Sequence, residues 1–262
     1  MPSSRQSSRQ AQALTVAVNR WLELRSLTGQ VLYQSATGER SAQVGLRLQA
    51  VGEGIRTLSN ATAMLAIDAG TGFINVSENT SLKIQALTTS NGGGRITQLQ
   101  VLSGQVHLEV PTFTNPDSRL EIQTPSGWSG VRGTEFGIAV KPDGSTGTAT
   151  LSGAVETSAQ NQNVVVEGGF QNLIFPGEPP TQPVPITDDT TLSLTTIDTD
   201  RELAYLSGYT DPFNLLSIEG VAQVLDREGR FAISMPLPDD AGVRAVVTTP
   251  LGKEQAYEIQ LF

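Results

Sequence analysis

Apolar and polar residues alternate along short stretches of this 262-residue chain, and this alternation limits the chain to β-structure over much of its length. In QVHLEV, residues 105–110, the apolar residues fall on every second position. Successive side chains of a β-strand point to opposite faces, so a period of two predicts a strand with one buried face. The same pattern recurs in six further segments: residues 82–86, 119–123, 136–140, 164–166, 231–235 and 257–261.

Glycine-containing turn sequences separate these segments at intervals typical of short antiparallel strands. Asp143-Gly144, between GIAVK and GTATL, is the strongest hairpin signal, because this dipeptide between alternating segments favours a hairpin turn. We therefore predict an all-β protein whose larger part is a β-roll, a sandwich or a short β-solenoid.

The segment PGEPPTQPVP, residues 176–185, contains five prolines and is the clearest change in composition. Proline has no backbone N–H to donate to a sheet, so this segment predicts a linker. We divide the chain into a tail with a first strand (1–26), a β-domain (27–177), the proline-rich linker (178–187) and a small seven-stranded β-sandwich (188–262).

Charge and residue counts exclude several functional classes. The net charge of −9 disfavours nucleic acid as a partner, because binding there requires clustered cations. The absence of cysteine and the single histidine exclude thiolate metal sites, cysteine nucleophiles and histidine-rich zinc sites. We predict no metal, no cofactor and no transmembrane segment; acidic pairs such as Asp188-Asp189 are interpreted as solvated loop residues, with calcium as the open alternative.

The N-terminal sequence MPSSRQSSRQAQA carries two arginines and ends in small residues, like the end of a secretory signal, but it lacks the apolar core of one. One interpretation is a polar tail or a misplaced start. The other is that the mature chain begins near Leu14 and belongs outside the cytoplasm.

Several segments, in order, resemble the FecR family of bacterial extracytoplasmic proteins over residues 27–177. Their sequences are most similar to the cyanobacterial branch of that family. VRGTEF, residues 131–136, is the most specific of them; the others are VGEGIRT (51–57), SENTSLKI (77–84), LSGQVHLEV (102–110), LEIQTPSGWSG (120–130), ATLSGAVET (149–157) and VEGGFQNLIFPGE (166–178). Residues 188–262 resemble a bacterial immunoglobulin-like module, on the segments GYTDPFNLLSIEG, DREGRFAISMPLP and VVTTPLGKEQAYEI.

The resemblance implies a non-enzymatic protein that works by contact with other proteins. Familiar members carry an anti-sigma segment and a membrane helix before this domain, and we expect neither here. The expected role is therefore an envelope sensor or regulatory scaffold, in the periplasm or at the cell surface, whose partner is a membrane-bound receptor or signalling protein.

The candidate site residues begin with the motif Arg132, Gly133, Thr134, Glu135 and Phe136. We expect Gly133 to mark a close backbone approach or a bulge, and Arg132 to bond a carboxylate, such as that of Glu135, or backbone carbonyls. The alternative is a recognition surface.

Trp128, in a Gly/Ser-rich loop, and Trp21 are candidate contact aromatics, because tryptophan is enriched at binding hot spots. The competing interpretation of Trp128 is a side chain that covers the core. If these rings instead stack on sugars, the protein is a glycan- or peptidoglycan-binding surface module. No catalytic residues are predicted: His107 lies on the polar face of its strand, and no GxSxG nucleophile motif occurs.

Overall fold

The structure of the protein, a computed structural model, describes residues 20–200, 202–238 and 241–261. All regular elements in these residues are β-strands, which confirms the predicted all-β class. Across the same residues, no helix is long and apolar enough to cross a membrane. The two interpretations of the N-terminal sequence concern residues outside the described ones.

The first seventeen strands pair into two sheets that share one strand. Sheet A runs in the order β4 (Arg47–Leu48), β1 (Leu22–Thr28), β6 (Thr62–Ile67), β7 (Phe73–Val76), β9 (Arg95–Val110), β12 (Thr134–Val140), β13 (Thr146–Ser152), β16 (Phe170–Ile174) and β17 (Val184–Pro185). Sheet B runs in the order β3 (Gly38–Ser41), β2 (Val31–Ser35), β5 (Gly54–Thr57), β8 (Ser81–Thr89), β9, β10 (Arg119–Gln123), β11 (Trp128–Val131), β14 (Ala154–Ala159) and β15 (Gln162–Glu167).

Strand β9 belongs to both sheets because the chain bends at Gly104. Its first half pairs with β8 and β10 in sheet B, and residues from Gly104 onward pair with β12 in sheet A. Gly104 has φ +82°, and a Cβ there would lie 2.6 Å from Cα of Thr80, so the bend requires glycine. The inner faces of both sheets contribute to one hydrophobic core, which includes Leu24, Leu99 and Phe136.

The proline-rich segment lies along the edge of sheet A instead of hanging free between two domains. Its residues Val184–Pro185 form β17, which pairs with β16. The backbone N–H of Thr181 donates to the carbonyl of Leu173 at 2.8 Å, and Pro180 is buried. An edge strand is the position in a sheet that tolerates proline, because one side of it needs no donors.

The remaining strands form two antiparallel sheets around a separate core that includes Leu206, Leu216, Phe231 and Val247. One sheet runs β18 (Ser193–Thr199), β19 (Leu203–Tyr209), β22 (Arg230–Pro236), and the other runs β21 (Val221–Ala222), β20 (Leu215–Ile218), β23 (Gly242–Thr248), β24 (Glu254–Gln260). We call this part the second module. Its assignment as immunoglobulin-like stays a prediction.

A patch of small residues on the outer face of sheet A receives a loop of the second module. The patch consists of two cross-strand pairs on β12 and β13, Gly137 with Ala149 and Ala139 with Gly147. A Cβ at Gly137 would lie 1.7 Å from the carbonyl oxygen of Pro250, so the loop rests directly on the strand backbone. We call residues 249–253 the docking loop.

Two buried polar side chains fasten this junction. The side-chain amide of Gln105, 1% exposed, donates to the carbonyls of Thr249 at 3.0 Å and Pro250 at 2.9 Å. The ammonium of Lys141, 2% exposed, donates to the carbonyl of Pro212. At this junction, donors from Gln105 and Lys141, which lie in or next to strands of sheet A, therefore bond to backbone carbonyls of the second module.

Candidate functional site

The segment VRGTEF forms the crossing from sheet B to sheet A. Val131 ends β11 in sheet B, and Thr134 begins β12 in sheet A. The two hydrophobic residues at its ends are buried: Val131 is 4% exposed and Phe136 is 0% exposed. The motif therefore joins the two layers and places Phe136 in their common core.

Gly133 and Thr134 make this crossing tight. Gly133 has φ +128°, and a Cβ there would lie 2.3 Å from Cα of Thr112, so no larger residue fits. The Thr134 hydroxyl donates to the carbonyl of Ala154 at 3.0 Å. The pairing of β12 with β13 shifts register between Glu135 and Phe136. The structure thus has both a close approach at Gly133 and an irregularity just after it.

Arg132 is exposed, and its guanidinium has no hydrogen-bond or ion-pair partner among the residues that the structure describes. Only its backbone carbonyl is engaged, by the N–H of Phe113 at 3.1 Å. The expected pairing of Arg132 with Glu135 or with backbone carbonyls is not present among the described residues. Glu135 faces His107 instead, with 3.5 Å between Oε1 and Nε2.

Strand pairing brings His107, Glu109 and Glu135 together on the outer face of sheet A. His107 and Glu109 are two positions apart on β9, and Glu135 on β12 is the direct cross-strand partner of Glu109. One ligand atom from each lies within 4.8 Å of the others. We call these three residues the His–Glu–Glu cluster.

A shallow cavity of about 470 Å³ adjoins this cluster. It is lined by Glu109 and Glu135, by Gly133 of the crossing, and by Phe73, which is 37% exposed. The motif therefore borders a concave surface that carries both charge and an aromatic ring. Sequence reasoning missed this arrangement: the spacing of His107 and Glu109 was visible, but their proximity to Glu135 depends on the register between β9 and β12.

Trp128 lies on the outer face of sheet B and is 39% exposed. Its cross-strand neighbours are Gln123 and Ser158. Amide side chains continue this face: Gln100 donates to Gln123 at 3.5 Å. Gly130 beside Trp128 has nothing within 4 Å of the position a Cβ would take, so the surface next to the ring is open.

Trp21 is in a different environment. Its ring is partly buried, and the guanidinium of Arg47 lies 4.4 Å from the ring centroid. Its backbone N–H donates to the carboxylate of Asp68 at 3.3 Å. The face covered by Arg47 is not free to stack on a ligand, so Trp128 is the more accessible of the two predicted contact aromatics.

Residues 53–156 match the FecR protein family, as the resemblance predicts for this part of the chain. This range includes the VRGTEF crossing and the whole His–Glu–Glu cluster. No curated protein matches the sequence.

Two crystal structures of a "putative anti-sigma factor" from Parabacteroides distasonis are similar to this chain. Each is 14% identical, with a TM-score of 0.43 over 50% of this chain and 59% of that chain. The chain thus spans about three fifths of the length of these structures. The predicted cyanobacterial affinity stays a prediction.

Proposed function

We propose that this protein is a non-enzymatic regulatory component of the bacterial cell envelope that acts by contact with a membrane-bound receptor or signalling protein, outside the cytoplasm. The observation that carries this proposal is the FecR domain at residues 53–156, since that family is regulatory. The single histidine, His107, faces carboxylates and not a hydroxyl nucleophile, which fits a binding role better than hydrolysis.

The surface that best suits a protein partner is the one around the VRGTEF crossing. We define the motif surface as Phe73, Glu109 and Glu135, which line the cavity, together with the exposed Arg132, which precedes the cavity-lining Gly133. It combines an exposed aromatic ring and a concave depression with a guanidinium that has no partner among the described residues. Arginine and aromatic residues are the side chains most enriched at energetic hot spots, and a pocket lets such a contact become desolvated.

Photocrosslinking in the native host tests this proposal. A benzoylphenylalanine placed at Arg132 should yield a crosslinked adduct with a membrane-fraction protein. The same probe at Val165, 52% exposed on sheet B, is the matched control. Adducts of equal yield and identity from both positions, or none from Arg132, would contradict a specific contact at the motif surface.

A second candidate function is glycan binding on the outer face of sheet B. Trp128 is exposed there beside amides and the open surface at Gly130, and aromatic rings with neighbouring amides suit the apolar faces and hydroxyls of sugars. Titration with glycans and muropeptides should change tryptophan fluorescence in the Trp21→Phe variant and leave Trp128→Phe unchanged. No response in Trp21→Phe would rule this function out for the sugars tested.

A further inference from the structure

We propose that His107, Glu109 and Glu135 bind a divalent transition-metal ion of the zinc type on the outer face of sheet A. The ligands come from two adjacent strands whose register is set by backbone pairing, Glu109 opposite Glu135 and His107 opposite Gly137. The site does not depend on the proposed partner.

The electrostatics of the two carboxylates favour a cation. Glu109 and Glu135 are directly opposed on neighbouring strands, and like charges in that position destabilise a sheet. Among the described residues, no lysine or arginine forms an ion pair with either carboxylate, and the imidazole of His107 lies 3.5 Å from Glu135. An ion held between the two carboxylates would remove this repulsion.

The donor set and the distances select the class of ion. An imidazole with two carboxylates suits zinc and its first-row neighbours better than calcium or magnesium, which prefer oxygen alone. Four-coordinate zinc with bonds of about 2.0–2.1 Å has ligand atoms roughly 3.3 Å apart. His107 Nε2 and Glu135 Oε1 are 3.5 Å apart, and the atom from Glu109 lies within 4.8 Å of both, which a side-chain rotation closes.

The surroundings leave part of the coordination sphere open. The cavity of about 470 Å³ adjoins Glu109 and Glu135, so water or a donor from a partner can complete the sphere. On the other side, Gly137, the cross-strand neighbour of His107, is covered by the docking loop at Pro250 and Leu251. Three protein ligands with an open position make a site that holds a metal and still presents it to a second molecule.

The single histidine of this chain gives the experiment an unambiguous reporter. The full chain without an affinity tag would be stripped of metal and titrated with Zn²⁺ against a chromophoric chelator. We expect one ion per chain, with affinity lowered at least tenfold in both His107→Gln and Glu135→Gln. Glu156→Gln, an exposed carboxylate on sheet B, is the matched control and should bind as the unsubstituted chain does.

Electron paramagnetic resonance with Cu²⁺ provides the second readout. A single equatorial imidazole nitrogen in the spectrum can come only from His107, and it should disappear in His107→Gln. Circular dichroism of each variant verifies that the surface substitution leaves the fold intact. Absence of Zn²⁺ binding, binding that neither variant weakens, or Cu²⁺ bound without imidazole nitrogen would each overturn the proposal.

Discussion

Arg20 and Lys141 are both buried cations, yet the protein stabilises them differently. The Arg20 guanidinium pairs with the carboxylate of Asp68 at 3.1 Å and donates to Thr97 Oγ1 at 2.7 Å and to the carbonyl of Ile96 at 2.6 Å. The ammonium of Lys141 donates to the carbonyl of Pro212. Burial lowers the pKa of Lys141 to about 8, against the opposing effect of nearby aspartates.

The Arg20–Asp68 pair should be a major contributor to the stability of the first domain. Arg20→Ala leaves the Asp68 carboxylate buried with its main partner removed, and we expect a loss of about 3 kcal/mol in the free energy of unfolding. Arg25→Ala, which breaks an exposed pair with Glu23, should cost less than about 1 kcal/mol. Urea unfolding measures the free energy of unfolding of both variants. Equal losses would show that burial does not make the Arg20–Asp68 pair more stabilising than the exposed pair.

Lys141 should make stability depend on pH in the alkaline range. Between pH 8 and 10.5 the unfolded chain keeps the lysine proton while the folded protein has released it, so stability rises with pH there. Across this pH interval, the free energy of unfolding should increase by about 3 kcal/mol because of Lys141. The free energy of unfolding of the unsubstituted protein minus that of Lys141→Met should therefore increase from pH 7.5 to pH 10. A constant difference would mean that the ammonium is not penalised by burial.

Strand β12 shows how one element serves two interfaces. Its inner face carries Phe136 and Ile138, both 0% exposed, and its outer face carries Gly137 and Ala139. Alternation alone predicts a half-buried strand, but both faces of β12 are buried, because the docking loop of the second module covers the outer one. The small outer residues are what allow the loop to reach the backbone.

Gly137→Val should detach the docking loop while sheet A persists. Its backbone conformation suits a valine, but the new Cβ would overlap the Pro250 carbonyl, so the loop must move. Gly130→Val is the control, since nothing lies within 4 Å of a Cβ at that position. We expect a larger radius of gyration by X-ray scattering for Gly137→Val alone, with unchanged circular dichroism in both. Equal radii for the two variants would contradict a docked junction.

The molecule as a whole consists of two hydrophobic cores joined through polar contacts. The clusters around Phe136 and around Phe231 share no residue. Their connection rests on Gln105, Lys141 and the small-residue patch of sheet A, together with exposed contacts such as the hydrogen bond from Arg244 to the side-chain oxygen of Asn60 at 3.5 Å. The second module therefore has its own core but gains stability from its contacts with sheet A.

Loss of the Gln105 contacts should separate the unfolding of the two parts. Gln105→Leu leaves the carbonyls of Thr249 and Pro250 buried without their donor, which costs about 1–3 kcal/mol. Both tryptophans lie before residue 188, so tryptophan fluorescence reports on the first domain, whereas circular dichroism reports on both parts. For Gln105→Leu we expect circular dichroism to show an additional unfolding transition at lower denaturant concentration, from the second module. The midpoint of the fluorescence transition should be almost unchanged. A fluorescence midpoint that falls together with the dichroism would mean that the two parts unfold as one.

Local sequence patterns were sufficient to predict the class of fold and the structural role of a few positions within it. Alternation identified some of the strands, such as β10 and β22, Asp143-Gly144 lies in the β12–β13 hairpin, and Gly133 lies at a close backbone approach. These features follow from neighbours along the chain: the two faces of a strand and the conformations open to glycine are the same wherever the strand ends up.

The candidate sites depend on which strands pair and in which register. Arg20 meets Asp68 across 48 residues of sequence, and His107 meets Glu135 only because β9 bends at Gly104 and continues beside β12. The docking loop likewise lies over Gly137 only in the assembled structure. A shift of one residue between β9 and β12 would turn His107 and Glu135 to opposite faces of the sheet, so this contact exists only once the strands are paired in this register.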